Sequence, residues 1–191
     1  MSAEEVPIDE DYPKNPNTVY GVTKLASELL GLNYHENYGL DFVALRFPLV
    51  YGFGRVRGFG VINEMVEKPF MGLPAKIPHG GSQKYEPLYV KDAVNAIYLA
   101  MHARDLKNRI YNIGSGEMFY LKEIADIVKK YIPSAIFEIG PGYDIAYCTR
   151  GPLKTERARR ELGYEPHYKI NRGIKDYIEC MKLVSNTYRS S

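Results

Sequence analysis

The chain has 191 residues, the size of one ordinary domain or somewhat more. Apolar residues make up 45% and charged residues 25%, which excludes disorder, collagen-like repeats and a coiled coil as whole-chain readings. Lys plus Arg number 25 against 23 Asp plus Glu, a net charge of +2, and that balance argues against a dedicated nucleic-acid binder.

Residues 1–16 carry Glu4, Glu5, Asp9, Glu10 and Asp11 against Lys14, and Pro7, Pro13 and Pro16 punctuate them, so a surface loop is expected. A helix is predicted from Asn17 or Thr18 to about Asn37. Val22, Leu25, Ala26, Leu29, Leu30 and Asn33 form its stripe, and Gly39 is its stop. Asp41 to Phe47 reads as a buried strand. Pro48 to Gly60, with Gly52, Gly54, Gly58 and Gly60, reads as a ligand-facing or mobile turn. Further helices are predicted over Val61–Met71, disturbed at its end by Pro69, and over Val90–Ala103, Leu121–Tyr131, Thr155–Leu162 and Ile170–Tyr188. Strands are predicted at Ala75–Ile77, Glu86–Tyr89, Arg109–Ile113 and Ala135–Ile139, with a turn at Gly114-Ser115-Gly116 and irregular chain over Gly140–Pro152. Helices and strands alternate from residue 17 to residue 139, which predicts an α/β architecture with parallel pairing. A doubly wound sheet has more strands than this, so strands are missing from the pattern.

Tyr20 and Lys24 are the best chemical candidates. At i and i+4 on a helix they share a face, about 5–6 Å apart at Cβ. A nearby ammonium favours the phenolate, which tunes a tyrosine toward acid/base work. With 17 Tyr and 14 Lys in the chain, chance alone supplies roughly one Tyr-x-x-x-Lys. By itself the pair therefore describes a solvated Tyr and Lys equally well.

The surrounding segments change that balance. They are Tyr20-Gly21-Val22-Thr23-Lys24-Leu25-Ala26-Ser27-Glu28, Leu45-Arg46-Phe47-Pro48-Leu49-Val50-Tyr51-Gly52, Tyr89-Val90-Lys91-Asp92-Ala93, Tyr111-Asn112-Ile113-Gly114-Ser115-Gly116 and Glu161-Leu162-Gly163-Tyr164-Glu165-Pro166. In this order the set resembles the extended short-chain dehydrogenase/reductase family, the NAD-dependent epimerases and dehydratases of sugar metabolism. The resemblance implies a partial Rossmann-like, doubly wound parallel sheet whose N-terminal strands are missing, with a small α/β substrate-binding lobe. Residues 1–60 would be the C-terminal part of the dinucleotide-binding domain. Residues 61–191 would be mainly the substrate lobe, with about 90–115 returning to the main sheet.

In roles, the resemblance makes Tyr20 the acid/base that exchanges a proton with a sugar hydroxyl. Lys24 would hold the nicotinamide ribose and lower the Tyr20 pKa, and Phe47, Pro48 and Val50 would line the nicotinamide pocket. It implies NAD or NADP for a full-length member, and a sugar or nucleotide-sugar substrate. The Gly-rich turn that holds the pyrophosphate is another matter. Gly52-Phe53-Gly54, Gly58-Phe59-Gly60, Gly114-Ser115-Gly116 and Gly140-Pro141-Gly142 are the G-x-G units present. None has a third Gly three residues later, and none opens a βαβ unit with an acidic residue about 20 positions on. The Ser or Thr that assists the Tyr in the family precedes the acidic loop in which this chain starts. The expectation is a C-terminal piece, inactive alone and not binding the dinucleotide by itself, that acts with a separate N-terminal half or as a homo-oligomer. The other reading is a non-enzymatic remnant, a binding or oligomerisation module.

Three positions depart from the nucleotide-sugar pattern. Tyr85 stands where the family often has a diphosphate-gripping Arg, with Lys84 beside it as a point charge; Leu49 replaces an Asn and Lys154 an Asp. A smaller sugar, a sugar acid or another alcohol thus stays open. Lys84, Tyr85 and Arg150 are the substrate-contact candidates. Arg150, Arg157, Arg159 and Arg160 could meet phosphates or form a solvated face, and the solvated face is the weightier reading. His35, His79, His102 and His167 share no ligand spacing, so no metal site is expected. Tyr34, Tyr38, Tyr98 and Tyr177 are expected to be packing residues. Cys148 and Cys180 fit a reducing cytoplasm, with a single bridge left open. No apolar run reaches about 18 residues and Met1–Asp11 lacks a signal-peptide layout, so neither a membrane span nor export is expected.

Overall fold

A computed structural model describes residues 6–55, 60–144 and 150–189. The expectations on residues 1–5, on Gly58-Phe59 and on Cys148 lie outside them. The first half of the described chain runs α1 (Val19–Tyr38), β1 (Ala44–Arg46), β2 (Leu49–Tyr51), α2 (Val61–Phe70), β3 (Ala75–Ile77), β4 (Lys84–Tyr85) and β5 (Pro87–Tyr89). The second half runs α3 (Val90–His102), β6 (Ile110–Asn112), β7 (Phe119–Tyr120), α4 (Leu121–Lys129), β8 (Phe137–Ile139), α5 (Glu156–Leu162) and α6 (Ile170–Arg189). Three pairs are parallel: β1 with β6, β2 with β5 and β3 with β8. β4 and β7 pair antiparallel. The fold is α/β, as the alternation predicts.

Two strands of three residues divide the interior. In β2, Leu49 and Tyr51 face one core and Val50 faces the other; in β5, Tyr89 and Leu88 divide the same way. This is the two-residue period of a strand buried on both faces. The first core joins α2, α4 and α6 through Ile62, Met65, Leu121, Ile124, Ile174 and Tyr177. The second joins α3, β6 and α5 through Leu88, Ala96, Tyr111, Ile113, Leu162 and Tyr164. Each large apolar side chain so buried contributes roughly 1.5–3 kcal/mol.

Several expectations are corrected. The strand expected over Asp41–Phe47 shrinks to Ala44–Arg46, and the turn expected from Pro48 opens with β2, because Leu49-Val50-Tyr51 pairs with Pro87-Leu88-Tyr89. β4 and β7 have two residues each, too few for a periodicity to show. The α1 stripe predicts a core-facing side, yet no residue of α1 is buried, and Val22, Leu29 and Leu30 are exposed. Tyr34, Tyr38 and Tyr98 are likewise exposed rather than packed, whereas Tyr177 is fully buried. On α3, Val94, Ile97, Tyr98 and Met101 form a second bare apolar strip. No helix of the described residues is long and apolar enough to cross a membrane.

The acidic N-terminal segment is a loop, but a strapped one. Ile8 bridges Leu153 in parallel, with Ile8 N–H donating to the Pro152 carbonyl at 3.0 Å and Lys154 N–H to the Ile8 carbonyl at 2.8 Å. Asp9 faces Lys154 at 3.6 Å, and Asp11 meets Arg157 at 2.6 Å.

Candidate active site

Thr18 caps α1, its Oγ1 accepting the Gly21 N–H at 3.0 Å, and Gly39 ends it in the left-handed region at φ 69°. Within this frame Tyr20 is 70% exposed. The Lys24 ammonium lies over the Tyr20 ring, 5.3 Å from its centroid. The pair expected from the spacing is thus formed, through the ring face and without a hydrogen bond between Nζ and the phenol. Tyr51, Tyr89 and Tyr177 are pushed well above the ordinary phenol range, by burial first and by neighbouring carboxylates second. Those three are neutral hydrogen-bond donors: Tyr89 donates to Asp176 Oδ2 at 2.5 Å, Tyr177 to Glu67 Oε1, and Tyr51 to the Ile170 carbonyl at 3.4 Å.

The N-terminal strap, the end of β1 and the segment from Arg150 to Leu153 enclose a cavity of about 230 Å³. Phe47, Arg46, Asn112, Arg150, Tyr12 and Lys14 are among its lining residues. Two of the expected site residues, Phe47 and Arg150, thereby line the same cavity. Pro48 is half-buried, and Val50 packs into the second core beside Leu88. Lys84 and Tyr85 lie elsewhere, on β4. Lys84 Nζ stands 5.4 Å over the Tyr120 ring. Tyr85 is 3% exposed, and its hydroxyl sits 2.1 Å from where a side chain on Gly80 would begin, so only glycine fits there.

Arg150 is already engaged. Its Nη1 donates to Glu86 Oε2 at 2.9 Å and to the Gly151 carbonyl at 2.8 Å. Arg157 is held by Asp11 and Glu10, while Arg159 and Arg160 are solvated beside Glu165 and Glu161. The basic stretch therefore divides into two structural arginines and two surface ones. Among the described residues no cluster of three or more His, Cys, Asp or Glu gathers as a metal site. Cys180 is a free thiol.

The acids within the motifs turn out to be staples, a role the sequence reading missed. Glu86 accepts the Leu153 N–H at 3.0 Å and the Gly116 N–H at 3.2 Å. A side chain on Gly114 would begin 2.3 Å from the same carboxylate. Asp92 accepts the His167 and Tyr168 N–H groups, both at 2.9 Å, just ahead of α6. Glu161 takes Asn108 N–H at 3.1 Å and the Tyr111 hydroxyl at 2.9 Å. Burial alone would raise the Glu161 pKa, but hydrogen bonds from Tyr111, Asn108 and Arg160 outweigh it and bring it to about 2. The signal was available: buried acids in otherwise apolar segments need donors.

The alternating helices and parallel strand pairs define an α/β fold of the Rossmann-like type. Residues 2–114 match the model of the NAD dependent epimerase/dehydratase family, and the chain belongs to that family. A Methanocaldococcus jannaschii relative, whose name proposes a UDP-glucose 4-epimerase, is 32% identical over 187 residues, 95% of this chain and 59% of the relative. The epimerase Mth375 of Methanothermobacter thermautotrophicus superposes with a TM-score of 0.84 at 27% identity, covering 100% of this chain and 58% of that one. The Thermus thermophilus UDP-glucose 4-epimerase, solved in complex with NAD, gives 0.79 at 26% identity, covering 93% of this chain and 59% of that one. The chain thus spans well under two thirds of these relatives.

Phe47 and Arg150 line the cavity, and neither Tyr20 nor Lys24 is among its lining residues. A pyrophosphate needs a tight glycine turn on a helix N-terminus. Gly52 follows β2, but a side chain there would begin 2.4 Å from Val90 Cγ1, and Asn63 Nδ2 donates to its carbonyl at 2.9 Å. Gly52 thus serves packing against α3.

Proposed function

We propose that this chain is the acid/base and substrate-side portion of an NAD(P)-dependent epimerase, dehydratase or reductase acting on a sugar or nucleotide-sugar, inactive alone. Tyr20 exchanges a proton with the substrate hydroxyl. Lys24 binds the nicotinamide ribose and favours the phenolate when that pocket is assembled. Phe47 and Pro48 bound the nicotinamide side, with Val50 buttressing them from the core. NAD or NADP, held on the Tyr20 and Lys24 side, would supply hydride chemistry; the dinucleotide-binding half comes from outside these 191 residues. The observation that carries the reading is the solvent-open Tyr20 under the Lys24 ammonium, inside the family match at residues 2–114.

The names of the relatives favour a nucleoside-diphosphate sugar as substrate. Tyr85 and the engaged Arg150 favour a smaller sugar, because neither offers a free guanidinium to a diphosphate. Co-expression with the dinucleotide-binding half of a relative tests the assignment. Turnover of UDP-glucose or a free sugar alcohol is expected only in the combined protein. Tyr20→Phe is expected to lower it by about 10²–10⁴-fold, the usual weight of a positioned acid/base. Combined activity that survives Tyr20→Phe would remove Tyr20 from the chemistry.

A second reading rests on the two bare apolar strips of α1 and α3. A remnant with such faces serves as an oligomerisation module. Both readings expect association, with a companion half or with a second copy.

A further inference from the structure

A helix in an α/β protein ordinarily has its rotation set by the apolar face that it buries. α1 has no fully buried residue; its half-buried positions, among them Leu25, Glu28 and Leu32, lie on one side, so packing restrains its rotation only in part. Two glycines bring it close to the body. Gly21 rests near Pro16, where a side chain would begin 3.0 Å from Cβ, and Gly31 rests on the Phe42 ring, where it would begin 2.2 Å from Cζ. Glycine contacts allow close approach but grip little.

Between them stands Glu28. Its carboxylate receives both arms of the Arg46 fork, Nη2 to Oε1 at 2.6 Å and Nε to Oε2 at 2.8 Å. The remaining Arg46 arm, Nη1, donates to the Glu10 carbonyl at 2.8 Å. Arg46 is itself fixed in β1, opposite Asn112 of β6. One guanidinium therefore ties strand, N-terminal strap and helix together. The side chains are 23% and 12% exposed, so water screens the pair only in part. A planar fork on a carboxylate restrains direction as well as distance, which a point charge does not.

Tyr20, Lys24 and Glu28 follow each other at steps of four along the helix. Four residues turn an α-helix through about 400°, so the three project within one sector. We infer that the Glu28–Arg46 fork is the positioning device that sets the rotation of α1 and so aims Tyr20 and Lys24. The aiming has catalytic meaning only if the proposed role of Tyr20 and Lys24 holds; the rotational restraint stands apart from it.

The test uses the 191-residue chain with Glu28→Gln, a mild change on a solvent-open helix, and with Arg46→Lys, which keeps charge but removes the fork. Residual dipolar couplings of the α1 amides report helix orientation, and amide hydrogen exchange reports local opening. In both variants the α1 couplings are expected to stop fitting the alignment tensor of α4 and α6. Exchange in α1 is expected to speed by about ten-fold or more, with the other helices within about two-fold. Unchanged α1 couplings in both variants would overturn the inference. Equal acceleration in every helix would overturn it too, since the pair would then serve general stability. Loss of activity in Tyr20→Phe has no bearing on these readouts, so the two claims fail separately.

Discussion

Asp92 illustrates how a motif residue can be legible while its task is not. It stands in the Tyr89–Ala93 segment that marks the family, yet it is 1% exposed and receives two backbone N–H groups from the turn before α6. Asp92→Ala strands both donors. A loss of about 2–3 kcal/mol is expected from the price of unpaired buried groups and charged hydrogen bonds, read as a lower urea midpoint. Glu161 makes a pH-dependent version of the same argument. Its carboxyl titrates near 4.5 when unfolded and near about 2 when folded. The unfolded chain therefore binds the extra proton in that window. The stabilisation is complete above the unfolded value and is lost as pH falls toward the folded one. Glu161→Gln is expected to flatten stability against pH over this range in denaturant titrations; an unchanged acid limb would show that other carboxylates govern it. That Tyr20 and Lys24 share a face of α1 was legible by spacing. Their contact through the ring face was not, because side-chain direction depends on rotamers that spacing leaves free.

At the scale of elements, helix ends were the most readable feature. Thr18 and Gly39 bound α1, and Gly163 ends α5 with φ 69°, each for a stated backbone reason. Short strands were the least readable. β2 hid inside a glycine-rich segment, and β4 and β7 are two residues long. Periodicity predicted a core-facing stripe on α1, yet no residue of that helix is buried. A pattern says which side wants burial, not which chain supplies it. Since α1 and α3 both present uncovered Leu, Val, Ile, Met and Tyr side chains, the isolated chain is expected to self-associate in light scattering. Leu30→Glu with Met101→Glu is expected to shift it toward monomer. A clean monomer before any substitution would count against that expectation.

For the whole molecule, the family follows from the match over residues 2–114 and the α/β architecture from the strand pairing. The chain covers 59% of one named relative and 58% of a solved one. Under our proposal activity needs a companion half, and the division of labour falls at the dinucleotide. In that proposal Tyr20, Lys24 and Phe47 serve the nicotinamide side, whereas Gly52 is committed to packing against Val90.

Titration of the purified chain with NADH, followed by nicotinamide fluorescence, tests this division most directly. The account predicts no saturable binding up to about 1 mM, the limit of a contact worth roughly −4 kcal/mol. Tight, saturable binding by the chain alone would contradict it, because a complete cofactor site would then exist without a companion half.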